Sequence, residues 1–473
     1  MSSHLQHLDF FIVGKHKENG IKELGTLSNL HGSLSIRNLE NVTRSNEALE
    51  ARMMDKKKIN SLLLEWSNGT DFQIELDVLC KLKPHQGLES LSILGYNGTI
   101  FPDWVGNFSY HNMTYLRLRD CNTCCVLPSL GQLPSLKRLY ISKLNSVKRV
   151  DAGFYKNEDR PSVTPFSSLE TLEIDDMCCW ELWSTPESDA FPLLKCLRIR
   201  NCPKLRGDLP NHLPTLKTLE IRNCELLVSS LPRAPTLNRL EIGNTNNVLF
   251  YVFPLLVSGS ESVKCLNSFQ IYKCPNFVSF SGEGLPAPNL THFVVSHCYK
   301  LKSLPDQMST LLPKLKYLGI SNCPEIESFP EGGMPPNLTS VTIWNCEKLL
   351  SGLAWPSMDK LTHLTVCGPC HGIKSFPKEG LLPASLTSLT LEDFSSLEML
   401  DCKGLLHLTS LQELEIVECG KLENMVGESL PDSLIKLTIR ECPLLGKRCC
   451  MKHPQIWPKI SHIRGIMVDD RWI

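Results

Sequence analysis

The sequence predicts an α/β repeat solenoid, with one short strand per coil and the strands side by side in a parallel inner sheet. Three observations carry this. The template L-x-x-L-x-L-x-x-[NC] recurs in fifteen units, the first starting at Leu88 and the last at Leu434, and all but one of the intervals lie between 21 and 29 residues. Sites 1, 4 and 6 are apolar in every unit. Sites 3 to 7 alternate polar and apolar, the period of a strand with one buried face. A template of this kind at about 20–29 residues is the leucine-rich repeat, so the expected form is a horseshoe.

Each part of the coil follows from its residues. In LKYLGISNC (315–323), Leu318 and Ile320 turn inward, and Tyr317, Gly319 and Ser321 turn outward. Site 12 is apolar again, as in Trp180, Leu301 and Leu422. A further apolar residue precedes proline in Leu304-Pro305, Phe329-Pro330 and Phe376-Pro377. Proline lacks an N–H and fixes φ, so the return limb is expected to be irregular and helix-poor. Site 9 is Cys121, Cys202, Cys224, Cys274, Cys298, Cys323, Cys346, Cys419 or Cys442, with Leu144, Met177 or Phe394 elsewhere. Apolar substitutes mark a buried column of thiols. Asparagine at site 8 (Asn201, Asn223, Asn322, Asn345) suits the turn that leaves the strand.

The flanks are less regular. Residues 1–87 read as irregular repeats, with weak units at 31–36 and 59–64 and a helix near 43–58. The lysine run 56–58 is expected to be that helix's solvated end. Residues 88–445 form the regular array, and 446–473 a capping segment with a weak unit at 460–466. The longest interval contains KNEDRPSVTP, which predicts an exposed loop near 151–165.

Composition narrows the function. Lys+Arg 49 against Asp+Glu 50 leaves a net charge of −1, with no basic excess for nucleic acid. Nothing approaches the roughly 20 apolar residues of a transmembrane segment. The first residues lack the basic n-region of a secretory signal. With 21 cysteines, an odd number, the expectation is reduced thiols in the cytoplasm, with the nucleus or a peripheral membrane position as further options. Seven N-x-[ST] sequons suggest a secreted ectodomain instead, but Asn289 and Asn337 sit in a repeated N-L-T phrase that the repeat itself explains. P-loop, H-E-x-x-H, G-x-S-x-G and G-x-G-x-x-G motifs are absent, so no catalytic, cofactor-binding or metal residue is assigned and no enzyme is expected. Cys121-x-x-Cys124-Cys125 and Cys367-x-x-Cys370-His371 have metal-like local spacing, yet no second pair completes four ligands, and packing is the favoured reading.

Sites 3, 5 and 7 of successive coils form an outward grid. The candidate partner-binding residues on it are Arg117, Arg119, Arg138, Tyr140, Arg198, Arg200, Arg222, Arg239, Tyr272, Tyr317 and Trp344. Aromatics among arginines are the residue types that dominate interface hot spots, although a merely solvated face would also be polar. Interspersed Glu173, Asp175, Glu392, Glu413 and Glu415 suit a protein partner better than a phosphate backbone. Charge reversal at Arg200 and Arg222 is expected to abolish binding and spare stability.

Several phrases are more specific than the template. FFIVGKHKENGIKELGTLSNLHGSLSIRNLENV (10–42), EALEARMMDKKKINSLLLEWS (47–67), FPDWVGN (101–107), VLPSLGQLPSLKRLYI (126–141) and LLGKRCCMKHPQIWPKISHI (444–463) closely resemble the leucine-rich-repeat region of plant disease-resistance proteins, the coiled-coil class of nucleotide-binding immune receptors. The resemblance implies an intracellular recognition module that binds a pathogen effector or a guarded host protein and restrains a signalling domain. It also implies that ADP or ATP belongs to the family's nucleotide-binding domain, which is not in this sequence. A stand-alone interaction scaffold and a ubiquitin-ligase substrate receptor are the competing readings.

Overall fold

Alternation at sites 3 to 7 becomes a five-residue strand in every regular coil, as in Tyr317–Ser321 and Ser340–Trp344. The computed structural model describes residues 5–473 except 16–18, 68–70, 157–163, 187–188, 229–230, 246–260, 281–283, 331 and 352–356. Neighbouring strands are parallel and pair like site with like site: Leu318 faces Val341, and Ile320 faces Ile343. A one-residue slip would turn every inward Leu and Ile to solvent, so the apolar period alone pins the register.

The chain divides after Leu237 into two units. In the first, the parallel sheet runs through Phe10–Ile12, His31–Arg37, Lys58–Glu65, Ser90–Leu94, Tyr115–Arg119, Arg138–Ser142, Thr171–Asp175, Cys196–Arg200 and Thr218–Arg222. In the second it runs from Arg239–Gly243 through Ser268–Tyr272, His292–Ser296, Tyr317–Ser321, Ser340–Trp344, His363–Cys367, Ser388–Glu392, Glu413–Val417 and Lys436–Arg440 to Gly465–Val468. Arg471–Trp472 folds back antiparallel on that last strand. The weak units are therefore full members of the sheet, and Phe10–Ile12 is a strand the template did not reveal.

Site 8 leaves the strand through the left-handed region. Asp120, Asn201, Asn223, His297, Asn322, Asn345, Asp393 and Glu441 all have φ between 50° and 57°. This conformation strains most residues, and Asn and Asp tolerate it best. The asparagines also stack: Asn345 Nδ2 donates to Asn322 Oδ1 at 2.8 Å, and Asn223 Nδ2 to Asn201 Oδ1 at 2.5 Å.

All 21 cysteines are unpaired thiols, and the nine at site 9 are buried. Each of those nine donates to the carbonyl two residues back, at 3.1–3.5 Å. Those carbonyls also accept the backbone amide that leaves the preceding strand, as in Asn322 N–H to Trp344 O at 2.7 Å, so each thiol adds a second, weaker bond while filling space. Site 12 completes the core, with Trp180, Leu301 and Leu422 fully buried. The return limbs carry short parallel sheets of their own, Ser375–Phe376 with Met399–Asp401 and Asn424–Val426, and Arg149–Val150 with Leu182–Trp183.

Three sequence expectations need correction. The helix near 43–58 is only Ser45–Glu50, because Arg52 takes φ 52° and a 3-10 turn, Met53–Asp55, follows. Lys56 is not a solvated end. It is 2% exposed, and its Nζ donates to the carbonyls of Leu24 at 2.7 Å and Leu27 at 2.8 Å. The loop near 151–165 opens with a helical turn, Ala152–Tyr155, whose Phe154 and Tyr155 are buried against Phe166 and Phe191; 157–163 lie outside the described residues. A missed helix, Phe72–Lys81, is capped by Asp71, whose carboxylate accepts from the Gln73 amide at 2.8 Å.

Candidate functional site

Parallel, in-register strands place the same site of consecutive coils side by side on the outward face. In the first unit this builds a charged lattice. Across site 5, Arg117 neighbours Tyr140, Tyr140 neighbours Glu173, Glu173 neighbours Arg198, and Arg198 neighbours Glu220. Glu220 is the hub. Arg200 grips it with two bonds of 2.7 Å, from Nε to Oε1 and from Nη2 to Oε2. Arg222 Nε lies 2.5 Å and Arg198 Nε 3.2 Å from its oxygens. Arg198 also pairs with Glu173. Burial alone pushes the Glu220 carboxyl up, but the Arg200 fork and the Arg222 and Arg198 charges outweigh it, and the group sits below its usual range.

This arrangement revises the expectation for Arg200 and Arg222. Both are engaged with a side chain that is only 6% exposed, so reversing them strands a buried carboxylate and must cost stability. The remaining candidates of this unit lie at its other end. The Arg138 guanidinium sits 5.5 Å from the Tyr115 ring centroid, and Tyr115 is 5.4 Å from Tyr140. Arg119 Nε is 3.0 Å from Asp120, which Lys143 also approaches at 3.6 Å. Arg117 and Arg119 border a shallow groove with Trp66, Asn97 and Asp120.

In the second unit Arg239 pairs with Glu241 at 3.4 Å, and Glu241 is buried although it occupies outward site 5. The Tyr272 ring lies so close over Gly243 that a Cβ there would fall about 2 Å from it. Tyr317 stands 6.0 Å from the His292 ring and covers Gly319, which is buried. Trp344 is 52% exposed and lies beside Gly368, where a Cβ would fall 2.8 Å from its ring. Downstream the face turns charged, with Arg440 paired to Glu415 and the Cys367 thiol donating to Glu392 at 3.2 Å.

The two metal-like cysteine clusters sit largely in the core. Cys121, Cys124, Cys367 and Cys370 are buried and Cys125 is exposed. Burial pushes the Cys124, Cys367 and Cys370 thiols up to about 12. No described helix is long and apolar enough to cross a membrane.

Comparison with known proteins agrees with this architecture. Residues 21–144 match the family model described as R13L1/DRL21 leucine-rich repeats. The putative disease resistance RPP13-like protein 1 of Arabidopsis thaliana is 34% identical over 358 residues, covering 72% of this chain and 31% of that protein. The putative disease resistance protein RGA1 of Solanum bulbocastanum is 32% identical over 200 residues, covering 42% of this chain and 20% of that one. The chain thus spans less than a third of the length of these relatives. Among solved structures, TLR13 in its complex with ssRNA13 aligns with 94% of this chain and 66% of its own, at 17% identity and a TM-score of 0.52, a likeness of fold alone.

Proposed function

We propose, from the premise that this chain is the leucine-rich-repeat region of a plant disease-resistance protein, that it is an intracellular recognition module for a pathogen effector or a guarded host protein. In the longer receptor it would also hold the signalling domain inactive, with ADP or ATP confined to the nucleotide-binding domain. Leucine-rich repeats are an interaction scaffold, and nothing in the reading calls for catalysis, a cofactor or a metal. The observation that supports it most is the outward face itself. Its side chains are placed by the sheet, and most lie outside the inward core, so the partly exposed ones, such as Tyr140, Tyr317 and Trp344, are available to a partner.

The test is site-specific photo-crosslinking. Benzoylphenylalanine is placed at Tyr140, at Tyr317 and, as a return-limb control, at Lys421. Cross-linked proteins from infected and healthy plant tissue are then identified by mass spectrometry. A protein joined to the face positions, absent from the control and specific to infection, is the expected result. Capture at Lys421 alone would place recognition elsewhere. Identical partners in both tissues, ligase subunits among them, would favour the scaffold or substrate-receptor reading.

A further inference from the structure

Two five-strand stretches of the outward face, one in each unit, differ in a way the fold does not demand. In the first unit, sites 3, 5 and 7 of the five strands from Tyr115–Arg119 to Thr218–Arg222 carry six arginines and three acids among fifteen positions. In the second unit, the same sites of the five strands from Ser268–Tyr272 to His363–Cys367 carry no Asp, Glu, Lys or Arg at all. The chain as a whole is 21% charged. All but Gly319 and Cys367 of the second set reach solvent, where charge is ordinarily welcome, and the first unit shows that the same strand sites accept it.

Serines and threonines, with Tyr272, Tyr317, Trp344 and two histidines, fill most of the neutral block. Two glycines make room for its aromatics: Tyr317 lies beside Gly319, and Trp344 uses the space beside Gly368. Charges return at the margins, with Lys273 and Lys316 exposed on its two sides and Glu392 on the next strand. A neutral centre of aromatics and small hydroxyls inside a charged rim is the anatomy of a protein-binding surface.

Resting on the recognition reading above, we infer that the neutral block from Ser268–Tyr272 to His363–Cys367 is the docking surface, and that it takes a protein segment whose own contact core is uncharged, rich in amide and apolar side chains. Complementarity supplies the argument. A charged partner group pressed onto this block loses its hydration and meets no counter-ion, whereas amides and apolar groups find hydroxyls and aromatic faces. Binding here is insensitive to salt, because no ion pair is screened.

A phage-displayed random peptide library panned on the intact chain tests this. Enriched peptides should be poor in charge, and their affinity should change less than about twofold between roughly 50 and 500 mM NaCl. Thr342→Glu, which puts a carboxylate in the centre, and Trp344→Ala should each weaken them by about tenfold or more. Lys421→Glu, exposed and away from the block, should leave them unchanged. Trp344 is exposed, so its variant serves if Thr342→Glu fails to fold. Acidic, salt-sensitive peptides lost in Arg117→Glu would overturn the inference and leave protein recognition standing. Retention of oligosaccharides on a glycan array, with no peptide enriched, would overturn both.

Discussion

Glu220→Gln probes the charged lattice of the first unit. The substitution keeps the shape and removes one charge that three guanidinium groups share at 2.5 to 3.2 Å. A pair of opposite charges about 4 Å apart at an effective permittivity of about 20 is worth roughly 4 kcal/mol before desolvation. The arginines here are 31%, 33% and 38% exposed, so solvent takes most of that back. About 1 kcal/mol net per pair remains, or about 2–3 kcal/mol for the hub. Arg222→Gln alone leaves the Arg200 fork and Arg198 in place and should cost under about 1 kcal/mol. The pH dependence has a definite sign. A carboxyl whose folded value is depressed stabilises fully above its unfolded value, about 4.3, and loses that stabilisation as pH falls through the folded one. Hydrogen exchange of Cys196–Arg200 and Thr218–Arg222, followed from neutral pH into acid, reads this locally. Wild-type protection should fall in acid, and the Gln variant should start lower and change less. Equal protection and equal acid dependence in the two proteins would refute the hub.

Lys56, its ammonium pushed down to about 8 chiefly by burial, gives a second rise with pH at the alkaline end. Between about pH 8 and its unfolded value near 10.4 the unfolded chain binds more protons, so protection of the first coils should rise with pH there, and Lys56→Met should remove the rise. Asn322→Val should cost about 1–3 kcal/mol by urea denaturation, because a β-branched residue strains at φ 50°, whereas Asn322→Gly should cost clearly less; equal costs would contradict a backbone origin. Thiol titration of the native chain should label Cys80, Cys125, Cys178, Cys265 and Cys450 rapidly, and denaturation without reductant should bring the total to 21; a missing pair would mean a disulfide.

Much of this protein is legible in its sequence. The spacing of Leu, Ile and Val sets strand, register and inward face, because a strand alternates with period two and a slip exposes every apolar residue. The site-9 cysteines read correctly as buried, because apolar residues take the same site in other coils. Even the charged row was available in part: Glu173, Arg198 and Glu220 all occupy site 5, and parallel pairing makes equal sites neighbours. What the template could not supply is how far each side chain reaches. Arg200 and Arg222 leave site 7 to meet Glu220 at site 5, and Lys56 turns inward because Arg52 ends a helix that composition alone would continue. Periodicity assigns each residue to a face of its own coil, whereas ion pairs and buried amines are decided by rotamers and by coils 20 to 32 residues away. Those contacts exist only once the coils are stacked.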